Sequence, residues 1–112
     1  MHELSIASNI VELVAAAAAG RKVRRVTLEI GQLSGVSAEA LAFCFPEAAR
    51  GTDAENADLD VVEIEGVARC EACGEEFATA SLLAICSCGS FRLQRVKGDE
   101  LNVKGIEVEE PA

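Results

Sequence analysis

The chain has 112 residues, of which 50% are hydrophobic, and these values fit one compact domain or one domain that carries a small insert. Its formal net charge is -9; because such a chain repels phosphate backbones, we expect no nucleic-acid partner. No apolar run approaches the roughly 20 residues needed to span a bilayer, and the N-terminus lacks the basic start of a signal peptide. These features predict a soluble, cytoplasmic protein without membrane contact.

The N-terminal segment has the pattern of an amphipathic helix from Leu4 to Ala19. Asn9 and Glu12 fall on its polar face, and Gly20 marks its expected end. The apolar residues that recur at helical spacing are Ile6, Ile10, Leu13, Val14 and Ala17. We therefore expect this face of the helix to be buried.

A strand with one buried face and a second helix are predicted next. The strand is indicated by alternating apolar and polar residues from Val26 to Ile30, and Gly31 ends it. Ser37 is a good N-cap for the second helix, and Gly51 is the expected stop. Pro46 lies inside this helix and should bend it or end it early, because proline removes an amide donor and clashes with the preceding turn.

Two further strands frame a segment that is rich in cysteine. The strand from Leu59 to Glu65 changes the parity of its apolar residues, which indicates a bulge or two partly covered faces. The strand from Leu101 to Glu109 changes parity at Gly105. The outer segments thus predict an α+β fold, in which two helices pack on a three-stranded sheet with an inserted zinc-ribbon lobe. We expect residues 1–66 and 101–112 to form the α/β domain, and residues 67–100 to form the inserted domain.

The cysteine spacing points to a metal site in the insert. Cys70 and Cys73 precede a glycine, as do Cys86 and Cys88, and four thiolates complete the tetrahedral shell of a structural zinc ion. A small insert rarely folds on its own core, and zinc binding supplies the missing stability. Four scattered thiols, a disulfide pair and a rubredoxin-like iron site are the alternatives. Cys44, between two phenylalanines, is interpreted as a core residue rather than a nucleophile.

The fourth zinc ligand is an open question in the sequence. The second pair is spaced C-x-C, and Ile85 stands where the first cysteine of a C-x-x-C pair is expected. Cys86 reaches the metal only if its turn is rearranged. The substitutes that the sequence offers are Glu71, Glu75, Cys44 and the single histidine, His2.

The N-terminus has the donor set of a second metal site. The amine of Met1, the amide nitrogen of His2 and its imidazole Nδ1 can form fused chelate rings around one ion. The amide or the carboxylate of Glu3 can complete the plane. Square-planar nitrogen donors of this kind suit Ni(II) or Cu(II). The alternative is that a histidine occurs by chance at a frayed chain end.

Taken together, these segments resemble the HypA/HybF family of nickel-incorporation metallochaperones over nearly the whole chain. The resemblance is carried by MHELS at the N-terminus, by RVTLEIGQLSGVSAEALAFCF in residues 25–45 and by RGT in residues 50–52. It is also carried by the CxxCG and CGS motifs of the insert, by GDEL in residues 98–101 and by IEV in residues 106–108.

The resemblance implies a protein that delivers Ni(II) to the precursor of the [NiFe]-hydrogenase large subunit. It places the nickel site at Met1, His2 and Glu3, and the structural zinc site at Cys70, Cys73, Cys88 and, less regularly spaced, Cys86. The implied partners are the nickel-handling GTPase HypB and the hydrogenase precursor, and in some members the urease maturation proteins. We expect a monomer or a weak homodimer.

The resemblance favours a carrier rather than an enzyme. The sequence has no serine or cysteine nucleophile with a histidine nearby and no glycine-rich phosphate loop. The main alternative is a zinc-ribbon protein-interaction module that transfers no nickel. Such a module predicts no special role for the chain's N-terminus.

Overall fold

The computed structural model describes residues 3–110, which form two helices and two three-stranded sheets. The elements are α1 (Glu3–Ala18), β1 (Val23–Gly31), α2 (Ala38–Ala49), β2 (Asp58–Ile64), β3 (Val67–Cys70), β4 (Glu76–Ala78), β5 (Leu93–Lys97) and β6 (Leu101–Val108). The described chain is elongated, with principal extents of 60 × 24 × 17 Å. Neither helix is long and apolar enough to cross a membrane.

The first sheet has the strand order β2-β1-β6 and packs against both helices. β1 pairs in parallel with β2, and this arrangement requires a crossover connection, which α2 supplies. β6 returns to the other edge of β1 and pairs with it in an antiparallel manner. The predicted architecture of two helices on a three-stranded sheet is therefore confirmed.

The core against this sheet is made mainly by residues of β1 and the two helices, with Ala54 from the connection before β2. Leu28 on β1 and Leu41 on α2 are completely buried, and Phe45 is 2% exposed. The other members of the buried cluster are Ala7, Ile10, Val11, Val14, Ala18, Val23, Val26, Ile30, Ala49 and Ala54. Burial of this apolar surface is the main source of stability for the helices and the first sheet.

The buried face of α1 is rotated from the predicted one. Ile10 and Val14 are buried as expected, but Leu13 is 65% exposed and Ala17 is also exposed. Val11 is buried in place of Leu13, because α1 packs against α2 as well as against the sheet. The sequence period identified the helix but not the angle at which α2 meets it.

The second helix continues through its proline, so the early end considered for it does not occur. Ser37 is the N-cap, as expected, and its hydroxyl oxygen accepts a hydrogen bond from the Ala40 amide at 3.1 Å. The helix passes Pro46, which is exposed, and runs on to Ala49. Packing of the buried residues on both sides of Pro46 against the core offsets the hydrogen bond that proline removes. Gly51, with a φ of 76°, follows the end of the helix.

The two edge strands differ in regularity. β2 pairs with β1 in continuous register from Asp58 to Ile64, so the bulge considered for it is absent from this described strand. Val62 instead lies on a partly exposed face, at 37% exposure. β6 shifts register between Val103 and Gly105, and the predicted change of parity at this glycine is confirmed.

The second sheet, with the order β4-β3-β5, is formed by the segment between β2 and β6. Three glycines fix its connection to the first sheet. A Cβ atom on Gly31 would lie 1.9 Å from the carbonyl oxygen of Gly98, and one on Gly66 would lie 2.2 Å from that of Thr79. The Leu33 amide also donates to the Gly98 carbonyl at 2.6 Å. The backbones therefore meet at a distance that only glycine permits.

Candidate metal centre

The first cysteine pair lies in the turn between β3 and β4. Cys70 ends β3, and its carbonyl oxygen accepts a hydrogen bond from the Gly74 amide at 2.8 Å. The Cys70 amide donates to the carbonyl oxygen of Glu75 at 2.9 Å. Gly74 has a φ of 79°, in the left-handed region that glycine enters without strain. These bonds close a compact turn around Cys73.

The second cysteine pair closes a similar turn with one residue fewer. The Gly89 amide donates to the carbonyl oxygen of Cys86 at 2.8 Å, and the Cys86 amide donates to that of Ser90 at 2.9 Å. Each hydrogen bond spans one residue fewer than its counterpart in the first turn. The tighter turn compensates for the shorter C-x-C spacing. Gly89 again has a positive φ, of 94°.

The two turns bring four sulfur atoms into one cluster. The Sγ atoms of Cys70 and Cys88 are 3.6 Å apart, as are those of Cys73 and Cys86. All four Sγ atoms lie within 4.8 Å of one another. A tetrahedral ion with bonds of about 2.3 Å to sulfur places its ligands about 3.8 Å apart, so this donor set fits zinc in size and chemistry.

The cluster is shielded on one side and accessible on the other. Cys70 and Cys86, one from each turn, are buried, whereas Cys73 and Cys88 are exposed. An ion held by these four sulfurs keeps no coordination position for water. This is the pattern of a structural rather than a catalytic zinc site.

Hydrogen bonds from backbone amides and from neighbouring thiols shift the pKa values of these cysteines. The amide of Cys73 stabilises the Cys70 thiolate and lowers the pKa of Cys70 to about 6, although burial acts in the opposite direction. At Cys73 the amide of Glu75 lowers the pKa, but hydrogen bonding to Cys86 together with burial raises it to about 12. Neighbouring sulfurs therefore do not ionise together until a cation compensates their charge.

Of the substitutes for Cys86, Glu71, Glu75 and Cys44 lie outside the sulfur cluster, and His2 lies outside the described residues. Glu71 pairs with Arg92, at 3.6 Å between Oε2 and Nε. Glu75 Oε2 accepts a hydrogen bond from Ser87 Oγ at 3.0 Å and lies 3.9 Å from Cys86 Sγ. This contact of Glu75 was not foreseen from the sequence, because it depends on the tight second turn. Cys44 packs against the core under the helices, as its neighbours in the sequence suggested.

Of the three predicted nickel residues, Glu3 lies within the described residues. Met1 and His2 lie outside residues 3–110. Glu3 is the first residue of α1 and is half-buried. Because α1 leads into β1 through a short connection, it runs antiparallel to that strand, and its N-terminus lies at the same end of the sheet as Leu101, the first residue of β6. This is also the end from which the second sheet extends.

The fold and the four-sulfur cluster together define a class of small metal-binding proteins, in which a thiolate lobe extends from an α/β core. The family described as "Hydrogenase/urease nickel incorporation, metallochaperone, hypA" matches residues 1–108. The hydrogenase maturation factor HypA of Trichormus variabilis is 50% identical over 110 residues, covering 98% of this chain and 97% of the relative. That of Chlorobaculum tepidum is 49% identical over 113 residues, covering 97% and 100%.

Solved structures show the same fold. The solution structure of the Ni metallochaperone HypA from Helicobacter pylori matches with a TM-score of 0.66, at 24% identity, over 96% of this chain and 97% of that one. The chain belongs to the HypA family of nickel metallochaperones for hydrogenase and urease nickel incorporation. The resemblance to HypA/HybF that the sequence motifs indicated is thereby confirmed.

Proposed function

We propose that this chain binds one Ni(II) at its N-terminus and delivers it during [NiFe]-hydrogenase maturation, while a structural zinc ion holds its second sheet. The nickel ligands are the nitrogen donors of Met1 and His2 with the amide or carboxylate of Glu3. The observation that carries the proposal is an N-terminal Met-His-Glu sequence in a chain of the HypA family. This donor set suits square-planar Ni(II).

The zinc assignment is supported by the sulfur geometry. Cys70, Cys73, Cys86 and Cys88 offer four sulfurs within 4.8 Å, and the alternative ligand Glu71 is engaged by Arg92. Zinc supplies a cross-link between the two turns without redox chemistry. We assign residues 67–100 to a zinc-binding domain and residues 1–66 and 101–112 to a nickel-binding domain.

A carrier role follows from the nature of the proposed nickel site. Its ligands come from the chain end, so the site is assembled on nickel binding and dismantled at handover without disturbing the buried core. Binding displaces protons from the amine, the amide and the imidazole, and nickel affinity therefore falls as the pH is lowered. In this proposal the chain acts as a non-enzymatic, cytoplasmic metallochaperone. Its proposed partners are the GTPase HypB and the hydrogenase large-subunit precursor, with urease maturation as a related use.

A zinc-ribbon interaction module is the second candidate function, and the exposed apolar residues around the second turn favour it. Leu83 is 91% exposed, Ile85 68% and Phe91 74%. Exposed apolar side chains grouped on one lobe are typical of protein-binding surfaces. In the nickel-carrier proposal the same surface binds a partner protein. The two candidate functions therefore differ only in whether the N-terminus binds nickel.

A calorimetric nickel titration separates these functions. The untagged, zinc-loaded chain is compared with the His2→Ala variant and with a chain extended by a few residues at its N-terminus. The proposal predicts about one Ni(II) per native chain and loss of this binding in both altered chains. Equal binding by all three would refute nickel delivery through the N-terminus and leave the interaction module as the better explanation.

A further inference from the structure

The first helix leaves part of its apolar face uncovered. The apolar repeat in its sequence includes Leu13 and Ala17, but both side chains are exposed, and Leu13 is 65% exposed. They line an open groove of about 500 Å³ between α1 and β6. The other residues of the groove are Ile10, Val14, Leu101, Asn102, Val103 and Ile106. An exposed groove with such an apolar lining is typical of an interaction site.

The strand β6 forms the other wall of this groove and lies at the edge of its sheet. In the order β2-β1-β6, no strand within residues 3–110 pairs with the outer side of β6. An unpaired strand edge offers a row of amide and carbonyl groups to a further strand. The side chains of a strand added there would also lie against the uncovered face of α1, so the edge and the groove form one surface.

The free backbone groups of β6 can be assigned from its hydrogen bonds. The Glu100 carbonyl oxygen accepts a hydrogen bond from the Gly31 amide, and the Glu109 amide donates one to the Lys22 carbonyl oxygen. Glu100 and Glu109 therefore direct these groups toward β1. Backbone directions alternate along an antiparallel strand, and the bulge in β6 adds one residue. The residues whose backbone groups point to the free edge are thus Leu101, Val103, Ile106 and Val108.

The sequence of β6 is complementary to itself in one antiparallel register. When Val103 of one copy pairs with Ile106 of a second copy, Leu101 pairs with Val108. In each copy Val103, Ile106 and Val108 pack against the core under the helices. Leu101 lines the groove beside them. Apolar side chains of one strand therefore meet apolar side chains of the other on the face that the helices cover.

The opposite face of β6 fits the same register. Lys104 and Gly105 lie at the centre of the pair in both copies, so the extra residue of one strand is matched by that of the other. Asn102 of one copy then faces Glu107 of the other, and Lys104 lies diagonally beside that carboxylate. A lysine on an edge strand ordinarily opposes pairing. In this register it meets an opposite charge.

The spacing of the helices agrees with this arrangement. In each copy α1 packs over both β1 and β6. Because strands lie about 4.8 Å apart, two copies of α1 would lie about 10 Å apart across the joined strands, which is a normal distance between packed helices. Leu13 lies between Ile10 and Ala17 along the groove. The Leu13 side chains of the two copies therefore meet close to the two-fold axis.

We propose that this surface is a homodimer interface, in which β6 pairs in an antiparallel manner with β6 of a second copy. The two first sheets then form one continuous sheet of six strands. The contact covers Leu13 and Ala17, which the single chain leaves exposed. Each copy carries a net charge of -9, so their repulsion keeps the dimer weak, and added salt strengthens it. This interface does not depend on nickel binding.

The first test compares Leu13→Glu with Phe43→Glu. Phe43 on α2 is the matched control, because it is 86% exposed and lies outside the groove. Sedimentation equilibrium of zinc-loaded, untagged protein measures the association, and circular dichroism checks that both variants are folded. We expect the native chain to dimerise, Leu13→Glu to weaken the dimer at least about a hundredfold because it sets like charges against each other, and Phe43→Glu to leave it unchanged.

The same measurement can overturn the proposal. A native chain that stays monomeric up to the highest concentration at which it is soluble would rule out a second copy as the occupant of the groove. A dimer that persists unchanged in Leu13→Glu would place the contact on another surface of the molecule.

A charge exchange tests the register independently of the groove. Lys104→Glu should weaken the dimer about tenfold, because it turns two attractions across the axis into repulsions, and the double variant Lys104→Glu with Glu107→Lys should restore it. Hydrogen exchange gives a second readout: the amides of Val103 and Ile106 should exchange more slowly as the protein concentration rises, and that of Asn102, which faces β1, should change much less. Dimerisation that ignores the charge reversal, or exchange at Val103 and Ile106 that ignores concentration, would overturn the proposed pairing.

Discussion

The sheet of β2, β1 and β6 and the sheet of β4, β3 and β5 are stabilised by different means. The first packs with α1 and α2 around a cluster that includes Leu28 and Phe45. In the second, the buried apolar residues are Ala68, Cys70 and Cys86, and two of these three carry sulfur. The first sheet therefore depends on hydrophobic burial, whereas the second depends on whatever links its cysteines.

This difference suits the proposed function, in which the chain transfers nickel and retains zinc. Structural zinc contributes about 10–16 kcal/mol in apparent terms to small domains, so a lobe with little core is fixed in shape once it is loaded. The α/β core needs no metal to fold. Under the proposed function, nickel exchange at the N-terminus would therefore leave this buried core unchanged.

Removal of zinc should reveal the difference between the two sheets most strongly. A chelator should unfold residues 67–97 and leave the first sheet folded, because only the former lack a core of their own. Hydrogen exchange measures this directly: we expect protection of the β3 amides to fall by at least about a thousandfold, which corresponds to the loss of about 4 kcal/mol or more. Loss of protection in β1 to the same extent would mean that the two regions fold as one unit.

A cavity in the hydrophobic cluster around the first sheet should destabilise that sheet and leave the zinc site unchanged. Leu28→Ala removes a completely buried side chain, and we expect a loss of about 2–5 kcal/mol in the free energy of unfolding. Val62→Ala, on the partly exposed face of β2, is the control and should cost far less. Denaturant unfolding followed by circular dichroism checks both variants. A change in zinc affinity in Leu28→Ala would contradict the independence of the two regions.

The fourth ligand can be resolved by paired substitutions in the second region. Cys86→Ser should weaken zinc binding about a hundredfold, because it removes one thiolate from the shell, whereas Glu75→Gln should change it by less than about threefold. Cobalt substitution provides the readout, since the sulfur-to-cobalt absorption scales with the number of thiolates. If Glu75→Gln reduces this absorption and Cys86→Ser does not, the assignment of Cys86 is wrong.

The connection between the regions should also be sensitive to added volume. Gly31→Ala places a methyl group against the Gly98 carbonyl, where a Cβ would lie 1.9 Å from the oxygen, and we expect a loss of about 1–3 kcal/mol. Gly105→Ala on β6 is the control, because a Cβ there meets nothing within 4 Å. Thermal unfolding of both variants measures the difference. Equal melting temperatures would show that the backbones at Gly31 and Gly98 separate without cost.

The sequence was most informative where local chemistry decides the structure. The N-cap at Ser37, the stop at Gly51 and the change of register at Gly105 follow from the properties of these residues, and the structure has all three. Regular alternation of apolar residues predicted β1, and alternation with a change of parity still located β2 and β6. The family resemblance rested on motifs that span nearly the whole chain.

Features decided by distant contacts were not predictable. Burial on both sides of Pro46 keeps α2 intact, and contact with α2 turns Leu13 of α1 toward solvent. The position of Cys86 in the cluster depends on the first turn, whose Cys73 Sγ lies 3.6 Å from Cys86 Sγ. In each case the deciding partner is not recognisable from spacing alone.

Native mass spectrometry of the zinc-loaded, untagged chain mixed with Ni(II) tests the central claim most directly. We predict one zinc and one nickel per native chain, zinc alone in His2→Ala, and nickel without stoichiometric zinc in Cys86→Ser. This result would assign the two metals to two separate sites. Displacement of zinc by nickel in the native chain, or retention of nickel by His2→Ala, would contradict it.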